Sequence, residues 1–366
     1  MKKMPAPQAN IFAADLRLES LSEHKDPLVK LNKHIKWDIF TPILNRLDKT
    51  DTNPSKGGRP SFDNILLFKM LILQKIYGLS DFQLQYQVMD RLSFMRFLDL
   101  SLSHRVPDQN TVWNFREKLK EKALECELFD VFFEKLKAEG LILNEGKAID
   151  ATFIEAPKQR NTKEENEKVK NLETPEAWEN HPPKLSQKDL DATWALKNKE
   201  THFGYKDHVM IDTGSKLIEN YTVTDAAAHD STEFLNLVAN LEPVGELDEN
   251  GEPLKKIEIY ADSAYRSEEI EKIITLCKAK SQIHERAYIN KPLTEEQEKS
   301  NRTKSKIRVR VEHVFGYMVN SLGGTFVKSI GLARARTHIG LLNLTYNLKR
   351  YICIIDPEPK KVPAVG

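Results

Sequence analysis

Three carboxylates carry the chemistry this sequence offers. Asp150 lies inside an alternating apolar segment, Asp262 ends another, and Glu312 stands in the middle of a basic stretch, Ser305 to Asn320. From Asn301 to Arg350 there are ten Lys and Arg, and Glu312 is the only acid. An acid inside an apolar strand is costly to bury unless a cation compensates it. Brought together, hard oxygen ligands of this kind suit Mg²⁺ or Mn²⁺. Two such ions about 4 Å apart activate the attacking oxygen and stabilise the leaving oxygen of an in-line phosphoryl displacement. The basic field around Glu312 would then neutralise the phosphates of DNA. Each acid also has a plainer use. Arg308 and Glu312, four residues apart, make an ordinary helical ion pair. Asp150 can accept backbone hydrogen bonds, and Asp262 can cap the turn before Ser263.

The elements that must position these acids follow from hydrophobic periodicity. Gly146 to Ala156 reads as a strand with Ile149, Ala151 and Phe153 on one face and Asp150 and Thr152 on the other. Phe203 to Asp212 and Lys216 to Thr224 read as a hairpin turning at Thr213, Gly214 and Ser215. Lys256 to Asp262 is a third strand, helix Glu268 to Ala279 follows, and Gln282 to Glu285 forms a last short strand. Thr294 with Gln297 caps a polar helix that leads into the helix of Glu312, whose core side carries Ile307, Val311, Val314 and Met318. This is an α/β pattern on a mixed sheet. Asp212, Asp225 and Asp230 are competing acids, but Asp212 precedes a turn and Asp230 can cap a helix.

Before residue 141 the texture is helical. Residues 1–55 read as a leader and amphipathic helices through Leu28, Leu31, Ile35 and Ile39, with Thr41 as a cap. Residues 56–140 read as a helical domain entered through the basic hinge Lys56 to Pro60. Arg59 there suits either an A·T-rich minor groove or a plain linker. Ser61 caps the next helix, and Ser80 with Gln83 forms a capping box. Asp108 caps a helix carrying Thr111, Trp113, Phe115 and Arg116, a candidate recognition element of a helix-turn-helix, with Thr111 and Arg116 toward DNA. Its aromatic residues suit a core equally well. Residues 141–353 form the α/β domain, interrupted at 157–200 by a charged, Pro-broken insertion, and 354–366 is a tail.

Lys206 and His208 alternate on one strand and share a face, from which they could approach a phosphate. Lys304, Lys306, Arg308 and Arg310 surround Glu312 as DNA contacts, and Arg334 and Arg336 open a final helix that reads either as a DNA-facing element or as a solvated amphipathic helix over the catalytic domain with Ile339, Leu342 and Tyr346 inward. The overall charge of +1 averages this basic block against an acidic remainder, so only charge placement is informative. Cys126, Cys277 and Cys353 have no zinc or disulfide spacing. The N-terminal residues lack an apolar signal core, and no run reaches membrane-spanning length, so a reducing cytoplasm is expected.

The words around the three acids are similar to those of a known family. Ile149-Asp150-Ala151-Thr152, Ala261-Asp262-Ser263-Ala264-Tyr265 and Arg308-Val309-Arg310-Val311-Glu312-His313-Val314-Phe315-Gly316 resemble the DDE triad of bacterial insertion-sequence transposases, of the insertion-sequence-five group. The resemblance extends to Gly58-Arg59-Pro60, Leu79-Ser80-Asp81, Arg91-Leu92-Ser93-Phe94, Phe203-Gly204-Tyr205-Lys206 and Asn343-Leu344-Thr345-Tyr346-Asn347-Leu348. It implies a ribonuclease-H-like catalytic domain and an N-terminal domain that reads terminal inverted repeats. It also implies Mg²⁺- or Mn²⁺-dependent cutting at transposon ends, and joining of the freed 3′-hydroxyl to target DNA in an assembly at least dimeric. A bacterial, nucleoid-associated protein follows from the same likeness. Ser305 and Val319 depart from the family's Tyr and Lys around the last acid, a charge that Lys304, Lys306 or Arg310 can supply. The rival readings are a DNA-binding protein without catalysis and a metal nuclease that cuts without joining.

Overall fold

The computed structural model describes residues 12–48, 61–171, 173–197, 199–243, 248–249, 253–287 and 292–357. Arg59 and its hinge lie outside these residues. The chain divides into two compact units. One comprises Met1–Gln74, Leu79–Lys118 and Ile352–Gly366, and the other Lys75–Gly78 and Leu119–Tyr351. Among the described residues no helix is long and apolar enough to cross a membrane.

In the first unit every described regular element is helical. Asp26 accepts the Leu28 amide at 3.0 Å and caps helix Pro27–His34, which buries Leu28 and Leu31. Thr41 does not cap the start of the next helix: a 3-10 turn, Trp37–Phe40, runs directly into helix Thr41–Leu44, and Trp37 and Phe40 join an aromatic cluster with Phe68. Asp63, not Ser61, caps helix Asn64–Tyr77 through the Ile65 amide. The Ser80/Gln83 capping box forms at helix Asp81–Asp90. Helix Leu124–Ala138, within the helical domain read from the sequence over residues 56–140, groups with the second unit. There Phe129 packs edge-on against Tyr221 at 4.9 Å.

The second unit is built on a six-stranded mixed sheet. Its strands are β1 (Lys147–Glu155), β2 (Thr193–Lys197), β3 (Glu200–Asp212), β4 (Ile218–Asp225), β5 (Glu258–Tyr260) and β6 (Lys280–Ser281). β1 lies between antiparallel β3 and parallel β5, and β6 continues parallel beyond β5. On its other edge the long β3 pairs first with β2 and then with β4. β2 falls within the charged insertion. Gly204 is required where β1 ends: a Cβ there would stand 2.4 Å from the Ile154 carbonyl oxygen. One face of the sheet, through Ile149, Met210 and Ile259, packs against Phe234, Leu237, Tyr265, Ile270 and Ile274. The other, through Ile154, Tyr205 and Val223, packs against Ala335 and Ile339 of helix Leu332–Ile355.

Helix Leu332–Ile355 has Ile339, Leu342 and Tyr346 inward as expected, but it is buried far more widely than an amphipathic helix, without interruption over residues 339–348. Two of its buried asparagines reach distant partners. Asn347 accepts the Ile218 amide at 2.9 Å and donates to the Ile218 carbonyl at 2.8 Å, fastening the start of β4. Asn343 donates to Asp207 Oδ1 at 3.1 Å, while Asp207 Oδ2 and Asn343 Oδ1 are buried without a partner.

Asp207 has no exposed surface, and burial pushes its pKa up to about 7, against the lowering effect of Asn343. A carboxyl whose pKa is higher folded than unfolded stabilises the fold in its protonated form. That contribution is complete below the unfolded value near 4 and is lost as pH rises toward 7. At 1.36 kcal/mol per unit it is on the order of 4 kcal/mol. Asp207→Asn keeps the shape and the pairing with Asn343. Urea denaturation at pH 4.5, 6 and 7.5 is expected to show wild-type stability falling relative to the variant; a constant difference would contradict a neutral Asp207.

Candidate active site

β1 and β5 run side by side in one direction, with Ala148 opposite Tyr260 as their last paired residues. Asp150 and Asp262 each lie two residues further along extended backbone, so both leave the same sheet face at the same level. Ile149 and Ala261, one residue earlier on each strand, point into the opposite core. The alternation read from the sequence is therefore the one that forms. Asp262 caps the short turn Ser263–Tyr265, its Oδ1 accepting the Ala264 amide at 2.7 Å.

Glu312 comes from helix Glu295–Leu322, a single 28-residue helix. It begins with the Thr294/Gln297 capping box, carries Glu295, Glu296 and Glu298 in its first turn, where the helix dipole favours them, and ends at left-handed Gly323. Val311, Val314, Met318 and Leu322 form its buried side, leaving Glu312 exposed. Arg308, one turn earlier, ties the helix to the sheet. Its Nη1 donates to Asp150 Oδ2 at 2.7 Å and its Nη2 to Glu312 Oε1 at 2.8 Å. The plain helical pair expected of Arg308 and Glu312 is thus one half of a bridge whose other half is Asp150.

Asp150 is 8% exposed. Burial pushes its pKa up to about 6, the negative charge of Asp262 adds to the rise, and Arg308 and the Ala151 amide oppose it. Among the described residues no three His, Cys, Asp or Glu side chains are arranged to hold a metal ion. The cation between Asp150 and Glu312 is the Arg308 guanidinium, which stands in for a positive charge at that point. The donor set fits a hard divalent ion, since it consists of carboxylate oxygens, one of them in a poorly solvated carboxyl that needs a cation to ionise.

Two neighbours of these acids were given no role of their own in the sequence. Tyr265 is fully buried with its hydroxyl unpartnered; burial raises its pKa well above the ordinary phenol value, and Asp150, Asp230 and Asp262 raise it further. His284 lies with Nε2 3.3 Å from Ser305 Oγ. Its pKa is lowered by burial and by Arg308 and Lys304, with Asp262 opposing. Tyr265 sits three residues past Asp262, which is the one local signal available. His284 has none.

Several residues expected to meet DNA are engaged elsewhere. Lys206 and His208 do share a face of β3, but opposite Phe153 and Ala151 they lie on the face away from Asp150. Lys206 donates to the Ala228 carbonyl at 2.6 Å and Asp230 at 2.8 Å. His208 has no exposed surface, its Nε2 lies 2.9 Å from Thr224 Oγ1, and burial lowers its pKa to about 4. Neither offers a phosphate a free cation. Arg116 is held in a two-pronged pair with Asp81, at 2.8 and 2.6 Å, and also donates to Gln74. It locks helices together within the first unit. Thr111 is half-buried and donates its amide to Asp108 at 2.7 Å, the cap that was expected. Phe115 is core, whereas Trp113 is 45% exposed.

Around Glu312, Lys304 donates to the Ile283 carbonyl at 2.9 Å and Arg310 to the Thr213 carbonyl at 2.8 Å. Lys306 and Arg336 are exposed, and Arg334 is half-buried with Nη1 3.3 Å from the Ile330 carbonyl. Asp212 is fully buried and accepts the amides of Asn144 at 2.8 Å and Ser215 at 2.7 Å. Asp225 accepts the Thr193 hydroxyl at 2.6 Å. The competing acids are thus committed to turns and loops.

Comparison with known proteins adds to this geometry. A family model of the transposase DDE domain matches residues 144–348, a span that contains Asp150, Asp262 and Glu312. A second family model, of a transposase domain, matches residues 16–118. Among solved structures, a cryo-EM structure of the piggyBac transposase synaptic complex with hairpin DNA matches with a TM-score of 0.43 and 12% identity, covering 88% of this chain and 74% of that one.

Proposed function

The chain belongs to the transposase DDE domain family, whose model spans more than half of it, and from that premise we propose that Asp150, Asp262 and Glu312 are its DNA-cutting centre. The observation that carries this reading is the pairing of Asp150 and Asp262 at one level of adjacent parallel strands, with Arg308 joining Asp150 to Glu312. In this reading the unit is a ribonuclease-H-like catalytic domain, and the chain is a transposase of the insertion-sequence-five group.

The three carboxylates would hold Mg²⁺ or Mn²⁺, which when bound neutralises the phosphate and makes the attacking hydroxyl more acidic. Arg308 keeps Asp150 and Glu312 apposed and compensates their charge beforehand. The sheet and the capped turn fix Asp150 and Asp262, so little reordering is needed when substrate arrives. Lys306, exposed on the Glu312 helix, supplies positive charge for the phosphate backbone, with Lys304 and Arg310 beside it partly offset by Glu285 at 3.8 Å and Glu145 at 3.5 Å. Water attacks a phosphodiester at the element's end, the bond to the 3′ oxygen breaks, and the freed 3′-hydroxyl then attacks a target phosphodiester. The helical N-terminal unit reads the terminal inverted repeats, and two ends meet in at least a dimer.

Incubation of the full chain with Mg²⁺ and a plasmid carrying the element's own flanks tests this. Nicks or breaks at the element boundary are expected, and a precut end should join to a second plasmid. Cutting without joining would leave a nuclease; neither product under Mg²⁺ or Mn²⁺ would leave a DNA-associated fold without catalysis.

A further inference from the structure

We propose that a second, basic cleft in the catalytic unit, built from the charged insertion, holds the phosphate backbone of DNA flanking the cut. The proposal rests on the transposase reading above. The cleft, of about 300 Å³, is lined by five cationic residues, Lys158, Arg160, Lys184, Lys188 and Lys328, and by a single acid, Asp189. Asp189 does not neutralise them. Its Oδ1 accepts the amides of Asp191 and Ala192, both at 3.1 Å, and its Oδ2 accepts the Tyr205 hydroxyl at 2.7 Å and the Gly331 amide at 3.2 Å. Among the described residues Lys188 donates to neutral oxygens, the Arg160 carbonyl at 3.0 Å and Asn161 Oδ1 at 2.5 Å. Lys184 is, among the described residues, the one of the five that pairs with a carboxylate, Glu165 at 3.1 Å. Lys158, Arg160 and Lys328 are exposed.

Like charges gathered round one concavity repel each other, and low-dielectric walls focus their field on whatever enters. A chain of phosphates relieves that repulsion. A small anion would need only one or two of the cations, whereas their spread over three separate segments suits a ligand with repeating charge. Trp194, 43% exposed, adds an aromatic surface beside them, its ring centroid 6.0 Å from Lys158 Nζ. Cations beside an open aromatic ring are the usual lining of grooves that track a sugar-phosphate chain.

The position connects this cleft with the carboxylates. Pro157, its first lining residue, lies seven residues beyond Asp150 on the same chain direction, at most about 23 Å of extended backbone at 3.3 Å per residue. That length corresponds to about seven base steps of a duplex at 3.4 Å each. DNA cut at Asp150 would therefore present its flank to the cleft within one helical turn.

The test uses the full chain without divalent metal, so that no strand is cut, and a 30-base-pair duplex of mixed sequence read by fluorescence anisotropy from 50 to 300 mM NaCl. Lys158→Gln/Arg160→Gln/Lys328→Gln is expected to weaken binding about tenfold or more at 150 mM. It should reduce the slope of log K against log salt by about 2 to 3, at about 0.9 per phosphate neutralised. Lys163→Gln/Lys168→Gln/Lys170→Gln, an equal charge change on the neighbouring helix Lys163–Lys170, should alter the slope by less than half as much. Unchanged binding by the cleft variant with an unchanged melting temperature would overturn the proposal, as would an equal loss in the control variant. Cleft-dependent binding of inorganic tripolyphosphate but not of the duplex would also overturn it, making the site one for a free oligophosphate. Each of these leaves the cutting centre standing, whereas a wild-type chain that binds no DNA would sink the transposase reading itself.

Discussion

Asp150→Asn is expected to abolish metal-dependent cutting at the element's end, by at least about 10³-fold, equivalent to about 4 kcal/mol of transition-state stabilisation, while binding of the end persists. The amide matches the carboxylate in size and can still accept the Ala151 amide now bound at 2.8 Å. It cannot carry the negative charge that a hard cation requires. In the proposed reading end binding draws instead on cations other than Arg308, among them Lys306 and those of the insertion. Cleavage assays with Mg²⁺ and with Mn²⁺, run beside anisotropy on the same duplex, separate the two quantities. Retained cutting would remove Asp150 from the centre; loss of binding and cutting together would make it a folding residue.

Lys147→Met is expected to have the largest effect on stability. Lys147 is 1% exposed at the start of β1. It pairs with Glu219, donates to Asn144 Oδ1 at 2.6 Å and lies 3.5 Å from Asp212 Oδ1. Glu219 and Asp212 are themselves buried, at 8% and 0% of side-chain surface. Removing one member of a buried charge group leaves its partners uncompensated, at a cost of about 3–5 kcal/mol, or roughly 2–4 °C of melting temperature per kcal/mol. Burial already raises the pKa of Glu219, with Lys147 opposing. Without that lysine the pKa rises further, so the variant's deficit should grow as pH climbs and shrink in acid, where the carboxyls are neutral. A melting temperature within about 2 °C of wild type at pH 8 would contradict this picture.

Local pattern was enough for the parts of the fold that local physics controls. The alternation through Ile149, Ala151 and Phe153 set Asp150 on the opposite face, and the Thr294/Gln297 and Ser80/Gln83 boxes formed where hydrogen-bond geometry favours them. What escaped were partners far away in sequence. Lys206 looked free because Asp230, which neutralises it, lies 24 residues on, and Arg116 because Asp81 lies 35 residues back. Asn343, Thr345 and Asn347 gave the last helix a polar look, yet their partners lie in β3, in the preceding turn and at β4. Polar residues in a buried helix are indistinguishable from solvent-facing ones until their acceptors are known. The same blindness hid the cleft, because its cations come from both ends of the insertion and from Lys328, 140 residues beyond Lys188, the last of them. The bridging of Asp150 and Glu312 was half legible: the helical pair with Arg308 is a spacing argument, the strand contact is not.

Anomalous scattering from Mn²⁺ in crystals of the full chain with a DNA end bears most directly on the meeting of the three acids. The account expects a peak about 2.1 Å from carboxylate oxygens of both Asp150 and Asp262, with Glu312 in the same cluster and the Arg308 guanidinium no longer on Asp150. Manganese bound elsewhere, or Asp262 remaining out of reach of an ion held by Asp150 while DNA occupies the site, would contradict it.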